Sequence, residues 1–170
     1  MSQDVCFTPW VSWASRNSVL DKGKSGVYLI GRLEKHAPPG PADPFDENVV
    51  YIGESSGERF QRRWGSFERS AFEAKGRHRG GTRYKERFGG DSSVLYVSTL
   101  SDKGLLKAVL GLDTCSLLDV NADNPRSCIT DEAPDDMLVE IDSLLIKYME
   151  RRLILLYSLA NRRRPACNAD

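Results

Sequence analysis

Gly26-Val27-Tyr28-Leu29-Ile30-Gly31 is the segment from which the fold of this chain can be worked out. It is a short apolar run that contains β-branched and aromatic residues and is bounded by glycines, which predicts a strand. A loop with four prolines follows, and a second predicted strand, Val49-Val50-Tyr51-Ile52, ends at Gly53. Ser93-Val94-Leu95-Tyr96-Val97 is the third such run. We therefore expect a small sheet of three strands.

Helical periodicity surrounds these strands. From Glu58 to about Ala74, large apolar residues recur at intervals of three and four and form one narrow stripe, made of Phe60, Trp64, Phe67 and Ala71. Gly76 and the pair Gly80-Gly81 are expected to end this helix in a loop. A shorter helix is predicted around Leu105 to Leu110, before an acidic stretch with the character of a loop.

A long helix is predicted from Asp136 to about Ala160, and Pro165 lies beyond its end. This helix is apolar on most of its circumference, as expected of a helix buried between other elements. Together the patterns predict an α/β (α+β) domain, with a small three-stranded, mainly antiparallel sheet flanked by helices.

The composition fits one compact domain with a core. The chain has 170 residues, of which 40% are hydrophobic and 28% charged, and 24 Lys+Arg balance 24 Asp+Glu. No apolar run reaches the ~18 residues of a membrane-spanning helix and the start lacks a secretory pattern, so we expect a cytoplasmic protein with no membrane partner. Scattered cysteines predict free buried thiols rather than a disulfide framework or a zinc site: Cys6, Cys115, Cys128 and Cys167.

Charge is segregated along the chain although the net charge is zero. Between Arg59 and Phe88 there are ten Lys/Arg and three Glu, whereas between Asp113 and Asp142 nine acidic residues accompany Arg126 alone. Aromatic residues within the basic block favour a nucleic-acid surface over the alternative of two solvated faces. The residues predicted to bind DNA there are Arg77, Arg79, Arg83 and Lys85.

The order of these motifs resembles the GIY-YIG nuclease family. Each tripeptide alone is a weak signal, but five elements in the right order on the right structural types are much more specific. They are Gly26-Val27-Tyr28, Tyr51-Ile52-Gly53, the arginine helix Phe60-Gln61-Arg62-Arg63-Trp64, the metal-ligand segment Glu150-Arg151-Arg152-Leu153-Ile154, and Pro165-Ala166-Cys167-Asn168 as the terminal P-x-x-N.

The resemblance implies a single domain over residues 1–170, with a core at about 25–168 and insertions at about 34–48, 76–92 and 101–135. It implies an endonuclease that depends on Mg²⁺ or Mn²⁺ and hydrolyses double-stranded DNA in restriction or phage defence. If the chain has a protein partner, the expected one is a second copy of itself, giving a homodimer, or another subunit. The alternatives are a catalytically weak nucleic-acid-binding or regulatory subunit with the same fold, and a DNA repair or structure-specific nuclease.

The chain departs from the family pattern at several positions. Some restriction-type members carry a histidine one helical turn after the arginine, where this chain has Phe67. His78 is the candidate substitute, and the alternative is an exposed loop residue in a basic patch. The spacing from Glu150 to the terminal motif exceeds the usual one, so the site asparagine is either Asn168, which we favour for its P-x-x-N context, or Asn161.

Glu150 interrupts an apolar helical face that includes Ile146, Leu153 and Tyr157. A half-buried carboxylate needs a partner. One candidate is an arginine. The other is a divalent ion that keeps most of its waters, as Mg²⁺ does, and the motif context favours the ion.

The helical register distinguishes two neighbouring arginines. At ~100° per residue, Arg63 lies about 70° from the centre of the apolar stripe, whereas Arg62 points away from it. Arg63 is therefore predicted to border the core and to reach a phosphate with bidentate geometry. The alternative for Arg63 is a surface ion pair with Glu58 or Glu68.

Tyr28 and Tyr51 belong to two predicted strands, where tyrosines most often serve packing. A phenol with a pKa near 10 is a poor base at neutral pH unless a cation lowers that pKa. The metal and Arg63 would supply this charge. The family resemblance implies that Tyr28 orients or deprotonates the attacking water and that Tyr51 positions this water or the scissile phosphate.

Overall fold

The computed structural model of the chain describes residues 6–34, 37–73, 75–101 and 135–168, with side chains of the last segment from Glu140 onward. The elements in chain order are strand β1 (Val11–Ser12), a 3₁₀ helix (Trp13–Ser18), strands β2 (Gly26–Arg32) and β3 (Val49–Ser55), helices α1 (Phe60–Ala71) and α2 (Arg79–Phe88), strand β4 (Leu95–Ser101) and helix α3 (Asp135–Asn161). The helix predicted around Leu105 to Leu110 and most of the acidic stretch lie outside the described residues.

Within the described residues, the sheet has four antiparallel strands in the order β1-β4-β2-β3. This confirms the α/β fold, but the expected count of three strands is wrong. The additional strand β1 has only two residues, which pair with Val97 and Tyr96 of β4. Two residues are too few for a hydrophobic period, so the sequence gives no signal for this strand.

The central strand β2 is buried on both faces. Val27 and Leu29 face a core that includes Ile146, Met149 and other residues of α3. Tyr28 and Ile30 face a second core, built mainly from α1, α2 and the 3₁₀ helix. All four strand residues have no exposed surface, because alternate side chains of a strand point to opposite layers of helices.

Helix α2 corrects the expectation of a glycine-rich loop after the first helix. Its first turn contains Gly80 and Gly81, which the close packing of this turn requires. A Cβ atom at Gly80 would lie 2.5 Å from the Tyr51 ring, and one at Gly81 would lie 2.6 Å from the Phe67 carbonyl oxygen. The two glycines are therefore present because the helix packs closely here, and the prediction of a loop at this point was wrong. A left-handed Gly89, with φ of 69°, ends the helix.

Helix α3 packs one face on the sheet through Ile146, Met149, Leu153 and Tyr157. The expectation that it is buried between other elements is wrong for another part of its circumference, where several large apolar side chains are exposed. No helix within the described residues is long and apolar enough to cross a membrane. Of the cysteines in those residues, Cys167 is buried as expected and Cys6 is exposed.

Candidate active site

The two motif tyrosines face each other over a glycine. In the register of β2 and β3, Tyr28 pairs with Gly53 and Ile30 pairs with Tyr51. The two tyrosine rings lie 5.9 Å apart between centroids. A Cβ atom at Gly53 would lie 2.5 Å from the Tyr51 ring and 2.6 Å from the Tyr28 ring. The second motif therefore needs glycine at this position because both rings close over it.

His78 joins this pair from the residue before α2. Its Nε2 atom lies 3.4 Å from the hydroxyl oxygen of Tyr28. The side chain is buried, and its ring makes edge contacts with Tyr51 and Phe67 at centroid distances of 5.5 Å. The alternative of an exposed loop residue is thus wrong. The imidazole lies beside Phe67, the position at which some restriction-type members of the resembled family carry a histidine.

The hydrogen bonds of His78 determine which ring nitrogen carries the proton. The Gly81 N–H donates to Nδ1 at 3.2 Å, so neutral His78 carries its proton on Nε2 and donates it toward the Tyr28 oxygen. Burial, and after it the positive charge of Arg63, lowers the pKa of His78 to about 4. At neutral pH the imidazole is therefore a neutral donor to Tyr28, and the phenol keeps its own proton for another partner.

The exposures of Arg62 and Arg63 agree with the helical register predicted for α1. The Arg62 side chain is 80% exposed and that of Arg63 is 33% exposed. The ion pair foreseen as the alternative for Arg63 is also present, with Nη1 3.6 Å from Glu58 Oε1. Arg63 Nε is buried without a hydrogen-bond partner among the described residues. The Nε–H group of Arg63 therefore has no acceptor among the described residues, although another part of the guanidinium contacts Glu58.

Electrostatics couple Arg63 to both tyrosines. Burial raises the pKa of Tyr28 well above 10 and that of Tyr51 to about 12, and in both cases the charge of Arg63 opposes the rise. Burial by itself would lower the pKa of Arg63, but interactions with the two tyrosines and with Glu54 raise it above its ordinary value. Both phenols are therefore protonated at neutral pH, and further positive charge would be needed to ionise either of them.

Glu150 is half-buried on α3, next to the buried face of that helix. Burial, and after it the charge of Glu54, raises the pKa of Glu150 to about 7, while Arg63 and Arg151 oppose the rise. Within the described residues, Glu150 forms no ion pair with an arginine at 4.0 Å or less. The arginine partner considered from the sequence is thus not found there.

Glu54 is a site residue that the sequence analysis missed. It directly follows Gly53 on β3 and shares its strand face with Ile52, toward α3, whereas Tyr51 points to the other face. Its Oε2 atom accepts a hydrogen bond from the Ser56 N–H at 2.6 Å. The signal in the sequence that could have identified Glu54 is its position one residue after the second motif. Its proximity to Glu150, however, depends on how α3 packs against β3.

The donor set suits a hard divalent cation. Within the described residues there is no group of three His, Cys, Asp or Glu that forms a metal cage. Glu54 and Glu150 are two carboxylates whose negative charges repel each other. One or two carboxylates are a ligand set that Mg²⁺ accepts, because this ion keeps several of its waters. A cavity of about 330 Å³ opens beside this point and is lined by residues 54–58 and by Arg62 and Arg63.

Asn168 supports the site through the backbone. Its Oδ1 atom accepts from the Ile52 N–H at 2.9 Å, and its Nδ2 atom donates to the Ile52 carbonyl at 2.7 Å. The Cys167 N–H donates to the Val50 carbonyl at 2.7 Å, so the terminal motif lines the free edge of β3. Asn161 instead donates to the carbonyls of Phe45 and Tyr157. Asn168 thus fixes the strand that carries the second motif.

The predicted DNA-binding residues divide into two groups. Arg77, Arg79 and Lys85 are exposed, and the first two flank His78. Arg83 is half-buried and donates from Nη1 to the Asn168 carbonyl at 2.6 Å. Arg83 therefore holds the terminal segment, while the other three are open to a partner.

Comparisons of the chain with protein-family models, with curated proteins and with solved structures give no match. Function must therefore be inferred from the geometry alone. That geometry brings together Tyr28, Tyr51, His78 and Arg63, and adds Glu150 with Glu54 from the α3 side of β3.

Proposed function

We propose that this chain is a metal-dependent endonuclease of the GIY-YIG type that hydrolyses phosphodiester bonds in double-stranded DNA. The observation that carries the proposal is the contact of Tyr28 with both Tyr51 and His78, whose Nε2 atom lies 3.4 Å from the Tyr28 hydroxyl. After burial, Glu150 of α3 raises the pKa of Tyr51 and Arg63 of α1 lowers it, which supports placing both beside this cluster. A phenol, a guanidinium and a carboxylate are the types of group that phosphodiester hydrolysis uses.

Each side chain has a role that follows from its surroundings. Tyr28 receives a hydrogen bond from His78 and also interacts through its hydroxyl with Arg63 and Tyr51, and this oriented hydroxyl would position the attacking water. Tyr51 lies beside it and holds this water or the phosphate. Arg63, whose partly exposed side chain lines the cavity, would bring a permanent positive charge to the non-bridging phosphate oxygens.

Glu150, with Glu54 nearby, would hold the Mg²⁺ or Mn²⁺ ion. When bound, such an ion supplies the positive charge that stabilises the phosphate and its leaving oxygen. The protein itself contributes the alignment, because Asn168 fixes the backbone of Ile52 between Tyr51 and Gly53.

The DNA would lie along the surface that Arg77, Arg79 and Lys85 provide beside His78. We further propose a cytoplasmic restriction or phage-defence role for this nuclease, as the resemblance to restriction-type members of the family implies. A repair or structure-specific nuclease is the alternative role for the same chemistry.

The test is cleavage of supercoiled plasmid by the purified chain with Mg²⁺, with Mn²⁺ and with EDTA. We expect cleavage with either metal and none with EDTA. Tyr28→Phe keeps the buried ring and removes the hydroxyl, so it should abolish cleavage without loss of fold. Tyr96→Phe, a tyrosine of β4 outside the site, is the matched control and should remain active. Metal-dependent DNA binding without cleavage would instead support a regulatory or binding subunit.

A further inference from the structure

Helix α3 carries a second apolar face that is exposed in the described part of the chain. Between 37% and 69% of the surface of each large side chain there is exposed: Ile141, Leu144, Tyr148, Leu155, Leu156 and Leu159. At ~100° per residue, this face is centred about 120° from the face that packs on the sheet. So many large apolar groups on one side of one helix mark an interaction surface.

The spacing along this face is that of a coiled-coil seam. Ile141, Leu145, Tyr148, Arg152, Leu155 and Leu159 follow one another at intervals of four, three, four, three and four residues. We call these six residues the outer stripe. It covers 19 residues, and its first and last members lie about 27 Å apart along the helix. Leu144 and Leu156 flank it and widen the apolar surface.

The outer stripe is complementary to itself when two helices run in opposite directions. Its positions then pair as Ile141 with the partner's Leu159, Leu145 with the partner's Leu155, and Tyr148 with the partner's Arg152, and each pair occurs twice. The arginine would lie on a tyrosine ring, which attracts a cation. In a parallel pair Arg152 would face the same arginine of its partner, and the two charges would repel each other.

Charge at the two ends of the helix favours the same direction. Glu140 is exposed beside the first stripe residue, and Arg162 is exposed just beyond the last. An antiparallel arrangement brings each glutamate near the partner's arginine, whereas a parallel one brings like charges together.

We propose that the outer stripe binds a second copy of this chain as an antiparallel helix pair. Glu150 lies about 180° around the helix from the centre of the stripe, so both copies would keep this carboxylate away from the interface. The proposal does not depend on nuclease activity, because its readout is a mass.

The first test is the solution mass of the full chain by sedimentation equilibrium at about 20 µM. We expect twice the 19.0 kDa of one chain. Leu155→Glu should yield the single-chain mass with unchanged helical content, because two buried carboxylates would face apolar partners. Lys147→Glu, an exposed substitution on the same helix outside the stripe, should remain dimeric.

The second test fixes the direction. In a background with Cys6→Ser, which removes the exposed thiol of the described residues, we expect an equimolar mixture of Tyr148→Cys and Arg152→Cys chains to form a mixed disulfide under mild oxidation. Efficient crosslinking of Tyr148→Cys with itself would indicate a parallel pair and overturn the arrangement. A monomeric wild type would overturn the proposal. If Leu155→Glu then also lowered the melting temperature, another part of the same chain would be what covers the outer stripe.

Discussion

His78 Nε2 lies 3.4 Å from the hydroxyl oxygen of Tyr28, although 50 positions separate the two residues in the chain. The Gly81 N–H fixes the orientation of the imidazole by donating to Nδ1. Ser70 Oγ accepts the backbone N–H of His78 at 2.9 Å, which ties this residue to α1 as well. The contact with Tyr28 thus depends on the packing of α1, α2 and β2 together.

We predict that His78→Asn lowers the rate of plasmid cleavage by about 10-fold or more, because the Tyr28 hydroxyl loses the donor that orients it. Asparagine keeps an acceptor for the Gly81 N–H and preserves the start of α2. The thermal midpoint should therefore change little. Full activity in this variant would remove His78 from the site and leave it a packing role.

A second prediction concerns acid stability. The pKa of His78 is about 4 in the folded chain and 6.5 in its unperturbed state, so the unfolded chain takes up this proton first. The contribution of His78 to stability is complete above pH 6.5 and is lost as the pH falls toward 4. The loss is on the order of 2–3 kcal/mol. Urea unfolding of wild type and His78→Asn at pH 7.5 and 4.5 isolates this effect, and equal acid losses in both would contradict it.

The third prediction separates Arg63 from Arg62. Arg63→Ala should reduce cleavage by about 10²-fold or more, because it removes a charge that preorganises the phosphate site. Arg62→Ala is a close control, since Arg62 also pairs with Glu58, at 3.2 Å, but is 80% exposed. It should stay within a few fold of wild type. If both variants lost activity equally, the ion pair with Glu58 rather than the inward guanidinium would be the relevant feature.

The fourth prediction is for Glu150→Gln. Because folding raises the pKa of Glu150 from 4.5 to about 7, its ionisation destabilises the folded chain increasingly from pH 4.5 upward and fully above pH 7. A neutral replacement should therefore increase stability at pH 8, by about 1–3 kcal/mol. Cleavage should be lost while DNA binding persists. Thermal melting with and without Mg²⁺ provides the second readout, because Mg²⁺ should stabilise wild type and leave the variant unchanged.

The opposite result for Glu150→Gln would point to a different partner. A fall of ~3–5 kcal/mol in stability, independent of metal, is what the loss of a buried arginine's counter-charge produces. Such a loss, or an active variant, would contradict the assignment of Glu150 as a metal ligand.

The fifth prediction tests the DNA surface. Replacing Arg77, Arg79 and Lys85 by alanine should weaken DNA binding and flatten the dependence of log affinity on log salt by about 0.9 for each phosphate that the variant no longer neutralises. Arg83 is left in place because it holds the Asn168 carbonyl. Lys147→Ala with Arg162→Ala, on or just beyond α3, is the control. An unchanged slope in the triple variant would exclude this surface.

Features that depend on local periodicity could be predicted from the amino-acid sequence. It predicted strands at β2 and β3, the helix α1, and the inward position of Arg63 beside an outward Arg62. It also predicted that Glu150 is half-buried on an apolar helix. Each of these follows from the repeat of a strand or helix, which the neighbouring residues along the chain encode.

Contacts between segments that are far apart in the chain could not be predicted in this way. Gly80 and Gly81 predicted a loop, yet they permit a helix to approach Tyr51 and Phe67, since a glycine is equally suited to a turn and to close packing. The proximity of Glu54 to Glu150 and the bonds of Asn168 to Ile52 join residues about a hundred positions apart. No local period encodes such pairs. They arise because α3 and the terminal segment pack against β3 in the folded chain.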